Sequence, residues 1–313
     1  MTTVKLFSGT SSRYLAEKIA QHYGQPLGDV IIDKFSDGEM SPHYIESVRG
    51  CEVYLIQSTF SPSDNLMELL LLIDAAKRAS AQHVVAVVPY FGYARQDRKD
   101  KPRVAIGAKL VANLFSAAGA DRLMTCDLHA GQIQGFFDFP VDHFDGSSIF
   151  VPYLKNIPRD NLIFASPDVG GVKRTRNFAK FFEVDMVVCD KYRKRSNEVA
   201  SMQVIGEVEG KDVVLVDDLV DTAGTLCKAA NILKEKGAQS VKAISTHPVL
   251  SGNAYEKIEN SELEELAVTD TIPLKQESSK IKVLSVAKLF ADAIQKIHGH
   301  ESISPLFISD VRF

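Results

Sequence analysis

The sequence predicts an α/β protein built from two open, mostly parallel sheets flanked by helices. Three observations lead there. Short apolar runs alternate with helical patterns along the chain of 313 residues. The runs are continuous rather than alternating, as in strands covered on both faces. The whole succession then occurs a second time. In the first half the strand candidates are Val53–Ile56, Val84–Val88 and Leu123–Cys126, with helical patterns over Asp64–Ala79 and Ile106–Ala118. In the second half they are Leu162–Ala165, Met186–Cys189, Val213–Val216 and Val241–Ser245, with helical patterns over Gly171–Phe182 and Thr225–Lys236. The last of these helices has Leu226, Ala230 and Leu233 on one face, and Gly237 where a helix should stop. The boundary is expected near Asp142–Pro152, dividing the chain into domains over 1–145 and 146–313. The charged run "EKIENSELEEL", Glu256–Leu266, reads as a solvated helix face.

Bulk properties narrow the function. The chain is 45% hydrophobic, which is ordinary globular composition, and its length suits two domains of ~150 residues each. A net charge of -4 argues against a general nucleic-acid binder held by phosphate contacts. Cys51, Cys126, Cys189 and Cys227 are far apart in sequence, and three lie in or beside apolar runs, so buried thiols are expected rather than a zinc site. The segment "MTTVKLFSGTSSR" has no apolar signal core, and Leu69–Ile73, between Glu68 and Asp74, is too short to span a bilayer. A reducing cytoplasm and no membrane association are expected.

Open parallel sheets bind ligands outside the C-terminal ends of their strands, so the loops there carry the chemistry. They read "PYFGYARQDRKDKPR", "TCDLHAGQ", "SPDVGGVKRTR", "CDKYRKR" and "DDLVDTAGT". In the last, Asp221, Thr222, Ala223, Gly224 and Thr225 lead from a strand into a helix. Backbone N–H groups and the helix dipole at such a start suit an anion. A side-chain N-cap by Asp221 or Thr222 is the plainer explanation, but it leaves Asp217 and Asp218 unexplained. A phosphate in the loop with sugar hydroxyls beside the paired carboxylates explains both.

"VVLVDDLVDTAGT" resembles the phosphoribosyl pyrophosphate (PRPP) motif shared by type I phosphoribosyltransferases and PRPP synthetases. "FSDGE", "YARQDRK", "DLHAGQIQGFF", "SPDVGGVKR" and "HPVLSG" resemble the PRPP synthetases, the ribose-phosphate pyrophosphokinases, of the phosphate-dependent, ADP-inhibited class. The likeness runs from "LFSGTSSRYLAEKIA" to "SISPLF". It implies two type I phosphoribosyltransferase-like domains. The first would be of ATP-binding type and the second would bind ribose 5-phosphate or PRPP, with the tail 302–313 packing back on the first.

The resemblance also assigns roles. Phe35 would stack on adenine, with Asp37, Gly38 and Glu39 holding the nucleotide. Arg95 and Gln96 would contact ATP phosphates; the segment Arg95–Arg103 holds five basic and two acidic residues and reads as a basic lid. His129 and Asp168 would contribute to Mg²⁺ binding, and few protein ligands are needed because Mg²⁺ keeps waters and takes phosphate oxygens. Lys191 would be catalytic, and Arg193 would be both catalytic and part of the ribose 5-phosphate site. Asp217, Asp218 and Asp221–Thr225 complete that site. Ser47, Arg49, Ser302, Ile303, Ser304 and Phe307 would form a regulatory region for ADP and for inorganic phosphate as activator. Tyr192, where many relatives have Arg, and Pro305 in the tail depart from the common pattern.

The implied reaction is Mg-ATP plus ribose 5-phosphate giving PRPP and AMP, for nucleotide and amino-acid biosynthesis, in a homohexamer built from dimers. The rivals are a PRPP-using phosphoribosyltransferase and a non-catalytic regulatory relative. A DNA-binding repressor on this fold would need a helix-turn-helix segment and a more basic face, and the sequence offers neither.

Overall fold

The computed structural model describes residues 2–192 and 201–308. It divides into two compact units, one comprising the chain up to Asp145 with Val286–Leu306, the other Gly146–Ser285 with the residues from Phe307.

The first unit contains β1 (Val4–Ser8), β2 (Val30–Lys34), β3 (Met40–Tyr44), β4 (Glu52–Ile56), β5 (His83–Val88), β6 (Arg122–Cys126) and β7 (Val141–Phe144). Five of these form a sheet in the order β1-β4-β5-β6-β7, with every neighbouring pair parallel. Its helices are α1 (Arg13–Tyr23), α2 (Asp64–Arg78) and α3 (Gly107–Ala118). Val84, Ala86 and Val88 of β5 pack into the core under α2 and α3, against Leu69, Leu72, Ile73 and Phe115. Val85 and Val87, on the opposite face, are buried as well. Burial on both sides is why this strand reads as an uninterrupted apolar run. By contrast β2 and β3 pair as an antiparallel hairpin outside the sheet, half exposed along their length. That mixed exposure hides them from a search for apolar runs.

The second unit contains α4 (Ser147–Leu154), β8 (Leu162–Ser166), α5 (Val172–Phe182), β9 (Met186–Tyr192), β10 (Ser201–Ile205), β11 (Asp212–Val220), α6 (Gly224–Glu235), β12 (Ser240–Pro248), α7 (Ala254–Glu259), β13 (Glu265–Thr269) and β14 (Ile281–Leu284). A last helix, α8 (Ala287–His298), returns to the first unit and packs on α1, with Phe290 edge-on to Phe144 of β7 at 5.6 Å. The second sheet runs β10-β9-β8-β11-β12-β13-β14, parallel except for β9 with β10. Side chains along β11 alternate between two cores. Val213 and Leu215 pack with Leu226, Ala230 and Leu233 of α6, while Val214 and Val216 pack with Phe178 and Phe182 of α5. From β8 the chain winds outward through α5 to β9; from β11 it winds the other way through α6 to β12. The order therefore reverses between β8 and β11, the place where such sheets open a ligand crevice.

Two expectations are corrected here. The strand expected over Val213–Val216 continues to Val220, so Asp217 and Asp218 belong to the strand itself. The run Glu256–Leu266 is not one solvated helix: α7 ends at Glu259, β13 begins at Glu265, and Ile258, Leu263 and Leu266 are fully buried. Three isolated apolar side chains anchor this charged stretch to the core under α6.

Candidate functional site

At the reversal point β11 leaves one neighbour before the other. Its pairing with β8 ends at Leu215 and Ala165, while its pairing with β12 continues to Val220 and Pro248. Beyond Leu215 one edge of β11 is therefore open, and there lie the two carboxylates. The Asp218 N–H donates to Asp217 Oδ1 at 2.9 Å, and Arg174 of α5 places Nη1 3.3 Å from Asp218 Oδ1. Burial holds the Asp217 carboxyl well above the usual carboxylate range. The charge and hydrogen bond of Asp218 and the charge of Asp168 push it further, and Arg174 opposes them. Asp168, at the exit of β8, is exposed, and its Oδ1 accepts the Gly171 N–H at 3.0 Å. Three carboxylates thus share one field, an arrangement that favours an arriving cation or hydroxyl donors.

The turn after β11 is held from one side. Leu250 N–H donates to Val220 O at 3.0 Å, and Ser251 N–H to Asp221 O at 2.9 Å. Ser251 Oγ donates to Asp221 Oδ1, and Lys257 Nζ donates to Thr222 O at 3.1 Å. Helix α6 starts without a side-chain cap, because its N-cap position is Ala223, in the left-handed region at φ 57°. That conformation costs a non-glycine residue roughly 1–2 kcal/mol. The N-cap position thus falls to neither Asp221 nor Thr222, contrary to the plainer explanation of the motif, and the dipole of the helix start suits an anion. A Cβ on Gly224 would lie 3.8 Å from Thr222 Oγ1 and 3.9 Å from Lys257 Nζ, at ordinary contact distance.

Lys191 lies on β9 opposite Met202 of β10, and Arg193 lies outside the described residues. In the first unit, Phe35, Asp37, Gly38 and Glu39 form the tip of the β2–β3 hairpin. The Phe35 N–H donates to Glu39 O at 2.8 Å, Gly38 has φ 96°, and Phe35 is 59% exposed. Arg95 and Gln96 are exposed in the turns after β5, and His129 is exposed after β6. Arg49 donates from Nη1 to Ser80 Oγ at 3.1 Å, and its N–H to Ser47 Oγ at 3.4 Å. Ser302 Oγ accepts the Ser304 N–H at 3.2 Å, Ile303 O accepts the Leu306 N–H at 2.9 Å, and Phe307 is half-buried. The structure thus adds Arg174, Ser251, Lys257 and Ser80 to the residues that the sequence singled out. The only sequence signal for the first two was their place inside "GGVKRTR" and "HPVLSG". Lys257 and Ser80 had none. All four cysteines are free and buried, and burial pushes the Cys189 thiol up to about 12. Among the described residues no group of three or more His, Cys, Asp or Glu side chains could hold a metal ion, and no helix is long and apolar enough to cross a membrane.

Comparison with known proteins shows the family. Residues 4–119 match the family model for the N-terminal domain of ribose phosphate pyrophosphokinase, and residues 170–308 match the phosphoribosyl synthetase-associated domain. A ribose-phosphate pyrophosphokinase of Porphyromonas gingivalis is 59% identical over 303 residues, covering 96% of this chain and 97% of the relative. One from Wolinella succinogenes is 55% identical, covering 98% of this chain and all of the relative. The crystal structure of phosphoribosylpyrophosphate synthetase from Mycobacterium smegmatis superposes with a TM-score of 0.91 at 37% identity, covering 96% of this chain and 100% of that one. With relatives this similar over nearly its whole length, the chain belongs to the ribose-phosphate pyrophosphokinase family.

Proposed function

We propose that the protein transfers pyrophosphate from Mg-ATP to the anomeric hydroxyl of ribose 5-phosphate, giving PRPP and AMP. The observation that carries this is the start of α6, with Ala223 in the left-handed region at its N-cap, set beside Asp217 and Asp218 at the strand-order reversal, in a chain whose family performs this transfer. The hydroxyl attacks the β-phosphorus, the bond from that phosphorus to the α-phosphate oxygen breaks, and AMP leaves. Such a transfer needs alignment and charge neutralisation more than covalent chemistry.

In this reading the second unit binds the sugar phosphate and the first is of ATP-binding type. The turn Asp221–Thr225 receives the 5-phosphate, while Asp217 and Asp218 accept hydrogen bonds from ribose hydroxyls. Lys191 and Arg193 meet charge building on the transferring group, Arg95 and Gln96 hold polyphosphate, and Phe35 stacks on adenine beside Asp37, Gly38 and Glu39. Mg²⁺ enters with ATP and neutralises phosphate oxygens when bound. In the second unit the exposed Asp168 carboxylate would help to hold it, since a hard oxygen donor in a carboxylate-rich field fits that ion, and in the first unit His129 would contribute. We assign no general base.

Regulation belongs to the same reading: inorganic phosphate activates and ADP inhibits through Ser47, Arg49 and the tail residues Ser302, Ile303, Ser304 and Phe307. The chain works as a homohexamer built from dimers in the cytoplasm. Incubation with Mg-ATP, ribose 5-phosphate and phosphate tests the central claim. AMP and PRPP should form in equal amounts, and release of ADP, or no nucleotide product at all, would refute it.

A further inference from the structure

The segment Leu250–Lys257 forms a second wall of the phosphate turn, and its one cation ends on the turn itself. A carbonyl inside an anion-binding turn is a hazard, because its oxygen repels phosphate. In a trans peptide the C=O and the following N–H point in opposite directions. Lys257 Nζ takes the Thr222 carbonyl at 3.1 Å, so the Ala223 N–H points the opposite way within the same peptide plane. The same ammonium lies 3.9 Å from the position of a Cβ on Gly224, and its charge reaches Cys227 in the first turn of α6, where it opposes the rise caused by burial. A fixed positive charge there adds to the dipole of the helix start. The strained Ala223 backbone needs such an outside clamp, since its conformation is not one that alanine prefers.

From these contacts we infer that Lys257 is a positioning residue for sugar-phosphate binding: it draws the Thr222 carbonyl out of the turn and adds its charge to the phosphate site. This rests on the proposed phosphate reading of Asp221–Thr225. The two backbone bonds from Leu250 and Ser251 do not depend on Lys257, so the turn keeps most of its frame when the ammonium is removed.

The test compares Lys257→Met, Lys257→Gln and Lys257→Arg in the AMP-forming assay with Mg-ATP, inorganic phosphate and varied ribose 5-phosphate. Losing a charge-assisted hydrogen bond predicts an apparent KM for ribose 5-phosphate raised about tenfold in the Met and Gln variants. The KM for ATP should stay within about twofold and kcat should change little, because the contact is present before the transition state. The Arg variant keeps charge and donors and should recover most of the loss. An unchanged KM for ribose 5-phosphate in Lys257→Gln, in a folded protein, overturns the inference and leaves the function standing. Equal damage to both substrates in all three variants, with a lowered Tm, also overturns it, since that is the mark of a merely structural lysine. No AMP from the unaltered protein would overturn the function itself, and this inference with it.

Discussion

Each unit keeps a carboxylate near the C-terminal ends of its strands, and the two are treated in opposite ways. Glu68 of α2, 3% exposed, accepts the Thr10 N–H at 2.6 Å, the Thr10 hydroxyl at 2.7 Å and the Gln57 amide at 2.8 Å. Gln57 in turn accepts the Ser11 hydroxyl, so the network ties the exits of β1 and β4 to α2. Asp217, at the open edge of β11, has Asp218 and Asp168 as charged neighbours and is destabilised as an anion. A buried carboxylate surrounded by donors is complete and fixes structure. One surrounded by other carboxylates is held for something that arrives. The hydrogen-bond inventory therefore separates the two roles where residue type alone does not.

This contrast can be broken by experiment. The largest effect falls on the satisfied carboxylate. Glu68→Ala strands three donors and should cost about 3–4 kcal/mol in denaturant unfolding, while activity per folded molecule changes little. Selective loss of ribose 5-phosphate binding at intact stability would erase the distinction. Next comes Asp217→Asn, expected to lower kcat/KM for ribose 5-phosphate by about 10²-fold through loss of a charged acceptor. Its Tm should be equal to or above that of the parent, because the amide removes like-charge repulsion. A Tm well below the parent would make Asp217 structural, like Glu68.

A smaller effect is expected at Gly224. A Cβ there meets Thr222 Oγ1 and Lys257 Nζ only at contact distance, so Gly224→Ala should fold normally. It crowds the approach to the helix start, and the KM for ribose 5-phosphate should rise about tenfold, the cost of one good hydrogen bond. Unchanged kinetics would move the phosphate away from this turn.

The smallest effect is a drift with pH. The raised pKa of Asp217 means that the folded state binds its proton more tightly than the unfolded chain does. Its contribution to stability is full below the ordinary carboxylate range and is lost as pH rises through the raised value. The ligand-free protein should therefore lose Tm with rising pH across that window, relative to Asp217→Asn measured in parallel. Mg²⁺ should narrow the gap by stabilising the anion. Parallel curves for the two proteins would remove the repulsion on which the comparison rests.

The amino-acid order by itself determined the fold class and the place of the turn proposed for the phosphate. Both follow from local facts. Val84–Val88 and Val213–Val216 are short, β-branched-rich apolar runs of the kind a doubly covered strand carries, and Asp221–Thr225 lies between a strand and a helix. What the sequence could not show depends on contacts between distant residues. Ile258 and Leu266 look solvated among their charges until the core under α6 covers them. The continuation of β11 past β8 sets Asp217 and Asp218 beyond the last pairing with β8, and it follows from the unequal lengths of two neighbouring strands. Arg174 reaches Asp218 from 44 residues away, and Lys257 reaches Thr222 from 35. No spacing rule pairs such positions. Tertiary structure alone decided that Ala223, in the left-handed region, would hold the N-cap position of α6, with Ser251 bonded to the Asp221 carboxylate and Lys257 to the Thr222 carbonyl.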